Sequence, residues 1–361
     1  MRVARRRFLV HAAAAGAAAA AAGSIAANAR ADDAGAGPGV GAGAGAGPRL
    51  ATLTLAGPPA SVSNPLVRIA ESGALADLAQ EVRFTVWRDP DQLRLMALDG
   101  RADVLAMPVN VAANLYNRGA KLRLVNVSTW GILWIVSRDP AVHALKDLVG
   151  EEIAMPFRGD MPDIVLGLLA ERAGIDTRRD LRLRYVASPM DAMQLLLTRR
   201  VDHALLAEPA VSMALHKSAS FPASVVAPEL HRAVDLQQEW ARSFGGDARM
   251  PQAGIAVLGS LRERSQAVAR VHEAYARSLA WCQANAAACG EIVEKRIPML
   301  SAEAVADAIG HGQMDVVPAR DARPALEALF RLLLEKSPGL VGGRLPPDDF
   351  YASPSAAQHT G

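Results

Sequence analysis

Four short stretches of this chain carry polar side chains where a strand-like run gives way to a helix-like one. They are Ser61-Val62-Ser63-Asn64, Met107-Pro108-Val109-Asn110, Arg158-Gly159-Asp160-Met161 and Ala187-Ser188-Pro189. In an open α/β sheet, ligands settle beyond the carboxyl ends of strands. The first turns of the helices that follow present N–H groups with no partner inside the helix. The chemistry on offer is recognition of a small molecule by hydroxyls, amides and backbone donors. Ser61, Ser63 and Ser188 have a second role open to them, as caps of their own helices.

Covalent and metal chemistry find no such foothold. The chain holds no H-E-x-x-H, G-x-S-x-G or G-x-x-x-x-G-K-[ST] sequence. Its eight histidines are scattered without ligand spacing, and His203, inside an apolar run, reads as a hydrogen-bonded core residue. No sequence feature pairs two carboxylates for acid–base work. No catalytic residue, metal or cofactor is therefore expected. Cys282 and Cys289 would stand about 10.5 Å apart along one continuous helix, too far to bridge. A helix restart at Asn285 would bring them together, and either outcome, a disulfide or two thiols, is open.

The elements that must position these groups follow from periodicity. Leu50 to Leu55 alternates as a strand does and ends in Gly57-Pro58-Pro59; Pro65 then opens a helix through Leu66, Ile69 and Leu75. Val82 to Trp87 is a second strand, and a helix through Leu93 and Leu98 stops at Gly100. Strands are expected at Val104–Ala106, Leu122–Val127, Ile132–Val136, Ile153–Met155, Leu181–Val186 and Gly254–Leu258, with helices between them. The unit Arg101-Ala102-Asp103-Val104-Leu105-Ala106 has a loose echo in Arg200-Val201-Asp202-His203-Ala204-Leu205. Two α/β modules in tandem suggest two lobes, with Asp103 and Asp202 as turn residues. The stretch after Leu261 reads as largely helical.

Of 361 residues, 51% are hydrophobic, 21% charged and 4% aromatic, which excludes a disordered chain and a multi-span membrane protein. Arg2, Arg5, Arg6, Arg7 and Arg30 lie in the first 31 residues, which hold no acid; the remainder has 34 basic and 37 acidic residues. That mildly acidic body argues against nucleic acid as a partner. Arg5-Arg6-Arg7-Phe8-Leu9, an alanine-rich run and Ala29-Arg30-Ala31 make residues 1–31 a twin-arginine-type signal peptide. Residues 32–48 form a Gly/Ala linker, and 352–361 are expected to be a disordered tail.

The body resembles the periplasmic solute-binding proteins of ABC importers, of the type that serves nitrate, sulfonates, taurine and thiamine-precursor pyrimidines. The likeness rests on Gly57-Pro58-Pro59-Ala60-Ser61-Val62-Ser63, on Ala102-Asp103 through Pro108 and Asn110, on Leu145-Lys146-Asp147-Leu148-Val149-Gly150 and on Glu208-Pro209. Pro251-Gln252-Ala253-Gly254 and Gly342-Gly343-Arg344-Leu345-Pro346 with Phe350-Tyr351 continue it. It implies an α/β, two-lobed, type II binding-protein fold, each lobe a sheet flanked by helices and joined by crossover hinge strands. Lobe 1 would comprise 49–130 and 210–351, and lobe 2 131–209. Glu208 and Gln252 join the candidate ligand residues by this resemblance, as does Trp130 near the hinge as an aromatic wall.

Asp160 as N-cap and Asp163 in the first turn would occupy the positive end of their helix. A nitrate or sulfonate would meet like charge there unless Arg158 offsets it. The expected ligand is a neutral or amine-bearing small molecule, a heteroaromatic stacked near Trp130 being one form. The expectation is an exported, monomeric, non-enzymatic protein that closes on a solute and hands it to an inner-membrane ABC permease and its ATPase. A periplasmic enzyme on the same fold and a ligand-sensing domain for a receptor are the alternatives.

Overall fold

The structure is a computed structural model, described here for residues 48–220, 229–246 and 249–352. The expected signal peptide, nearly all of the Gly/Ala linker and positions 353–361 of the expected tail lie outside the described residues. Ala352, placed in that tail from sequence, is instead buried and its N–H bonds to Leu124 O at 2.8 Å.

The protein is a mixed α/β molecule with two sheets flanked by helices. The first sheet has the order β11-β4-β10-β3-β1-β2, with β1 Leu50–Gly57, β2 Ala79–Val86, β3 Val104–Pro108, β4 Leu122–Gly131, β10 Ala253–Leu258 and β11 Gln313–Pro318. The second has the order β7-β6-β8-β5-β9, with β5 Leu133–Ser137, β6 Glu152–Pro156, β7 Arg182–Val186, β8 His203–Ala207 and β9 His231–Asp235. In each sheet the βα units pair in parallel, β2-β1-β3 and β7-β6-β8, and a returning strand runs antiparallel to them, β10 in the first and β5 in the second. The interior strands are apolar on both faces, as helix-covered parallel strands must be; Val104 to Met107 and Ala204 to Leu206 are fully buried.

The chain passes from one sheet to the other at Gly131-Ile132 and returns through the segment that ends at Gln252. β9 pairs with β5, so the second sheet draws a strand from beyond residue 209, where the expected lobe 2 ended. The reason is that β9 is an edge strand with only Val234 deeply buried, too weakly apolar to announce itself.

Helix starts follow polar caps and prolines. Asp89 accepts from Asp91 N and Gln92 N to open α2 (Pro90–Asp99), and Gly100 at φ 67° closes it. α1 (Asn64–Ser72), α3 (Val109–Asn117), α4 (Met161–Arg172), α5 (Pro189–Leu197) and α6 (Ala210–Ala219) each follow a strand or its loop. α7 (Leu236–Phe244) is capped by Asp235, which accepts from Gln237 N and Gln238 N. Then come α8 (Ser265–Ala284), α9 (Ala286–Arg296), α10 (Ala302–His311) and α11 (Arg323–Lys336).

Of the two alternatives, one continuous helix or a restart at Asn285, the structure has the break, between α8 and α9. Cys282 and Cys289 meet across it as two buried free thiols, with no disulfide between them. Their hydrogen bond, with burial, raises the Cys282 thiol far above the ordinary range. Asp103 does more than turn the chain: its carboxylate accepts from Thr54 N at 2.8 Å, tying β1 to the start of β3. Burial still raises its pKa against that bond. His203 is the core residue anticipated, with Ser137 Oγ 3.0 Å from Nδ1.

Candidate functional site

The carboxyl ends of β1, β2, β3 and β6 face a cavity of about 130 Å³ between the two sheets. That is close to the volume that accepts one benzene-sized ring. Its walls are apolar: Pro58, Ala60 and Val62 after β1; Trp87, Pro90 and Leu93 after β2; Met107 and Pro108 at the end of β3. Ile132 and Leu133 close it at the crossover, and Pro156, Phe157, Met161 and Pro162 come from the second sheet. Among the described residues, only Arg88, Asp160 and Gln252 bring charged or amide side chains to it.

Each of the three is distinct. Gln252 is 3% exposed; its Oε1 accepts from Ile132 N at 3.2 Å, while its Nε2 has no partner. A buried amide donor left open costs about 1–3 kcal/mol unless a ligand takes it. Asp160 sits before α4, yet its side chain makes no cap bond. It reaches Arg94 of α2 at 3.1 Å, an ion pair between the two lobes. Burial raises the Asp160 carboxyl above its ordinary pKa, outweighing the pull of Arg94. Arg88 is exposed, at the rim. Phe157 holds φ 58°, a left-handed conformation that costs an aromatic residue of order 1–3 kcal/mol.

A more polar cavity of about 510 Å³ adjoins the first and shares Asp160 with it. Arg94, Arg118, Asn114, Gly159 and Asn110 are among its lining residues. Asn110 is 3% exposed and its Oδ1 has no partner.

Of the sequence candidates, Val62, Met107, Pro108, Asp160, Met161 and Gln252 line the cleft, and Asn110 and Gly159 line the annex. The other candidates lie elsewhere. Ser61 Oγ donates to Glu208 O at 3.4 Å, and Ser63 Oγ to Pro58 O at 2.6 Å, so neither caps a helix and both brace the loop after β1. Asn64 and Val109 are buried off the cavity. Ser188 caps α5, accepting from Asp191 N. Arg158 stacks on Tyr185 at 4.9 Å and does not offset Asp160. Asp163, not Asp160, serves the start of α4, accepting from Gly159 N at 2.8 Å.

Trp130 also lies off the cleft. Its Nε1 donates to Asp315 O, and Arg249 covers its ring. Glu208 is fully buried beneath the loops. Its Oε1 accepts from Arg232 Nε and Nη2 at 3.0 and 2.8 Å, and its Oε2 from Ser212 N and Oγ. Trp130 and Glu208 entered the candidate set by resemblance, and the groups that hold them off the cleft, Asp315 and Arg249 for the one and Arg232 for the other, come from distant segments. Trp87, Ile132, Phe157 and Leu133 were missed; the first three directly follow the carboxyl ends of β2, β4 and β6, so the carboxyl-end rule could have included them, whereas Leu133 opens β5.

Solved structures with the same fold include an ABC transporter from Parabacteroides distasonis, at TM-score 0.68 and 22% identity, covering 84% of this chain and 99% of that one. The periplasmic aliphatic sulphonate binding protein SsuA from Escherichia coli aligns at TM-score 0.61 and 17% identity, covering 80% and 93%. The periplasmic nitrate-binding protein NrtA from Synechocystis PCC 6803 aligns at TM-score 0.58 and 13% identity, covering 85% and 92%. At these identities the likeness establishes the type II binding-protein fold. No curated protein matches in sequence. The family model for menaquinone biosynthesis matches residues 74–333. A biosynthetic family points to an enzyme, and this overturns the expectation of a non-enzymatic protein. That match covers every strand of both sheets except β1, and most of the cleft wall apart from the loop after β1, and by it the chain belongs to the menaquinone-biosynthesis family.

Proposed function

We propose that this chain is an enzyme that encloses a small, largely apolar cyclic molecule in the cleft and moves a proton on it. The observation that carries this reading is one apolar cavity holding a carboxyl of raised pKa, Asp160, and an unpartnered amide donor, Gln252. A carboxyl kept closer to neutral by burial is suited to general acid–base work. A fixed N–H donor in a dry site stabilises charge that develops on a ligand oxygen. The cavity volume suits a single ring, and Phe157, strained at the wall, is the kind of feature that collects at functional sites.

The test is turnover. The purified protein is incubated with a panel of small cyclic organic acids and ketones and the products are followed by mass spectrometry. Asp160→Asn is expected to lower turnover at least 100-fold, and Arg94→Gln, which removes only its ion partner, much less. Equal losses in the two variants would reduce Asp160 to a structural role, and no product from any candidate would defeat the reading.

A second reading is favoured by the arginine-led N-terminal segment together with the fold shared with the periplasmic binding proteins SsuA and NrtA. On it the chain is exported to the periplasm as a folded monomer, captures its ligand by closure, and presents it to an inner-membrane permease and its ATPase. Replacing Arg5 and Arg6 with Lys would then keep the chain out of the periplasmic fraction. An unchanged distribution would count against export by this route.

A further inference from the structure

The net acidity of the body conceals a local excess of the opposite sign. Residues 172–200 carry seven arginines and three acids, while acid exceeds base over the rest of the body. The segment runs through β7, the outer strand of the second sheet, and through α5. A groove of about 470 Å³ lies between the two and shares no lining residue with the cleft. Arg184 and Arg200 both line it. The one acid among its described lining residues, Asp191, is engaged by Ser188 Oγ at 2.7 Å. Beside the groove, Arg158 stacks on Tyr185 at 4.9 Å, and the charge of Arg178 also acts on that phenol. Arg182 stands two residues before Arg184, on the same face of β7. Arg178, Arg182, Arg184 and Arg200 are exposed, and none of them has an acidic partner among the described residues.

Charge on an edge strand has a plain use: it discourages a second copy of the chain from pairing there. That accounts for Arg182 and Arg184. It does not account for Arg158, Arg178 and Arg200, which reach the same edge from three other segments, nor for the apolar tips among them. Four large hydrophobic side chains stand exposed among the described residues, and two are here, Tyr185 at 36% and Val149 at 51%. Val149 precedes Gly150, whose N–H donates to Asp180 O just ahead of β7. Guanidinium groups interspersed with an aromatic ring and an aliphatic tip match the headgroup layer of an anionic bilayer. Phosphates take the arginines, and tyrosine belongs at the boundary of water and lipid. Each basic side chain near such a surface strengthens binding about fivefold. The acidic remainder of the body is repelled by the same surface, so this edge is the one that faces it.

We propose that the β7 edge is a membrane-docking face, with which the chain rests reversibly on anionic phospholipid headgroups. Arg182, Arg184 and Arg200 meet the phosphates, and Tyr185 and Val149 sit at headgroup level. The test is co-sedimentation with vesicles of phosphatidylglycerol in phosphatidylcholine, against vesicles of phosphatidylcholine alone. It uses the full chain with Arg2, Arg5, Arg6 and Arg7 replaced by Gln, so that the basic N-terminal segment does not itself hold the vesicle. Two variants are made in that background, with folding checked by thermal melting: Arg182→Gln with Arg184→Gln and Arg200→Gln, and Val149→Asp alone. Saturable binding to the anionic vesicles only is expected, lost in high salt. The arginine variant should weaken it at least twentyfold and Val149→Asp at least threefold. The proposal is overturned by no binding to the anionic vesicles, by equal binding to the neutral ones, or by affinity unaltered in either variant. Tighter binding of a single-stranded oligonucleotide through the same three arginines would also overturn it, and would assign the face to nucleic acid.

Discussion

The least visible chemistry in the sequence is a buried charge network. Glu208 has no exposed surface, and Arg232, 24 positions later, satisfies one of its oxygens twice while reaching Asp307 of α10 at 3.1 Å. Burial raises the Asp307 carboxyl, but bonds from Ser212 and Arg232 more than reverse this and leave its pKa lowered. Arg232→Met would strand a buried carboxylate, at a cost of about 3–5 kcal/mol in urea unfolding. Ser61→Ala loses only a 3.4 Å bond to Glu208 O and should cost less than about 1 kcal/mol. Similar losses in the two variants would mean that Glu208 does not depend on Arg232. Glu208 and Gln252 entered the candidate set through a resemblance, and position alone pointed to Asp160. None of their partners was legible, because Arg94, Arg232 and Ile132 reach them only through the tertiary fold.

At the scale of elements, strands buried on both faces were legible as short apolar runs, and β1, β3, β4, β8 and β10 stand where those runs are. β9 and β11 were not, because each is a half-covered edge strand whose polar residues break the pattern. The register of β10 depends on a glycine that periodicity does not explain. A Cβ on Gly254 would lie 1.9 Å from the carbonyl oxygen of Asn126, where the pairing of β10 with β4 shifts register. Backbone cannot yield as a side-chain tip does. Gly254→Ala is expected to destabilise by about 3 kcal/mol or more, whereas Gly310→Ala, on exposed α10 surface with nothing within 4 Å, should stabilise by several tenths of a kcal/mol through helix propensity. Denaturant midpoints decide it, and equal effects would place the close approach elsewhere.

For the molecule as a whole, α4 is held from both ends by the helices that flank the first sheet. Arg94 of α2 meets Asp160 at its start, and Lys336 at the end of α11 meets Glu171 near its close, at 2.8 Å. The second contact is exposed on both sides and contributes little. The first has a carboxylate only 13% exposed at the edge of the cleft, so it is less screened. Removing it by Arg94→Gln should shift an open–closed equilibrium by about 1 kcal/mol, roughly fivefold. The sign with pH follows from the raised Asp160 pKa. The folded chain holds a proton there that the unfolded chain has released, so the group's contribution to stability declines as pH rises from about 4 through the folded value. The latch behaves oppositely, because Arg94 attracts only the ionised form. Small-angle scattering of the native chain should therefore show a larger radius of gyration below that window and at high salt. Arg94→Gln should be expanded throughout and insensitive to both, and identical profiles for the two chains at every pH and salt would remove the ion pair from any account of closure.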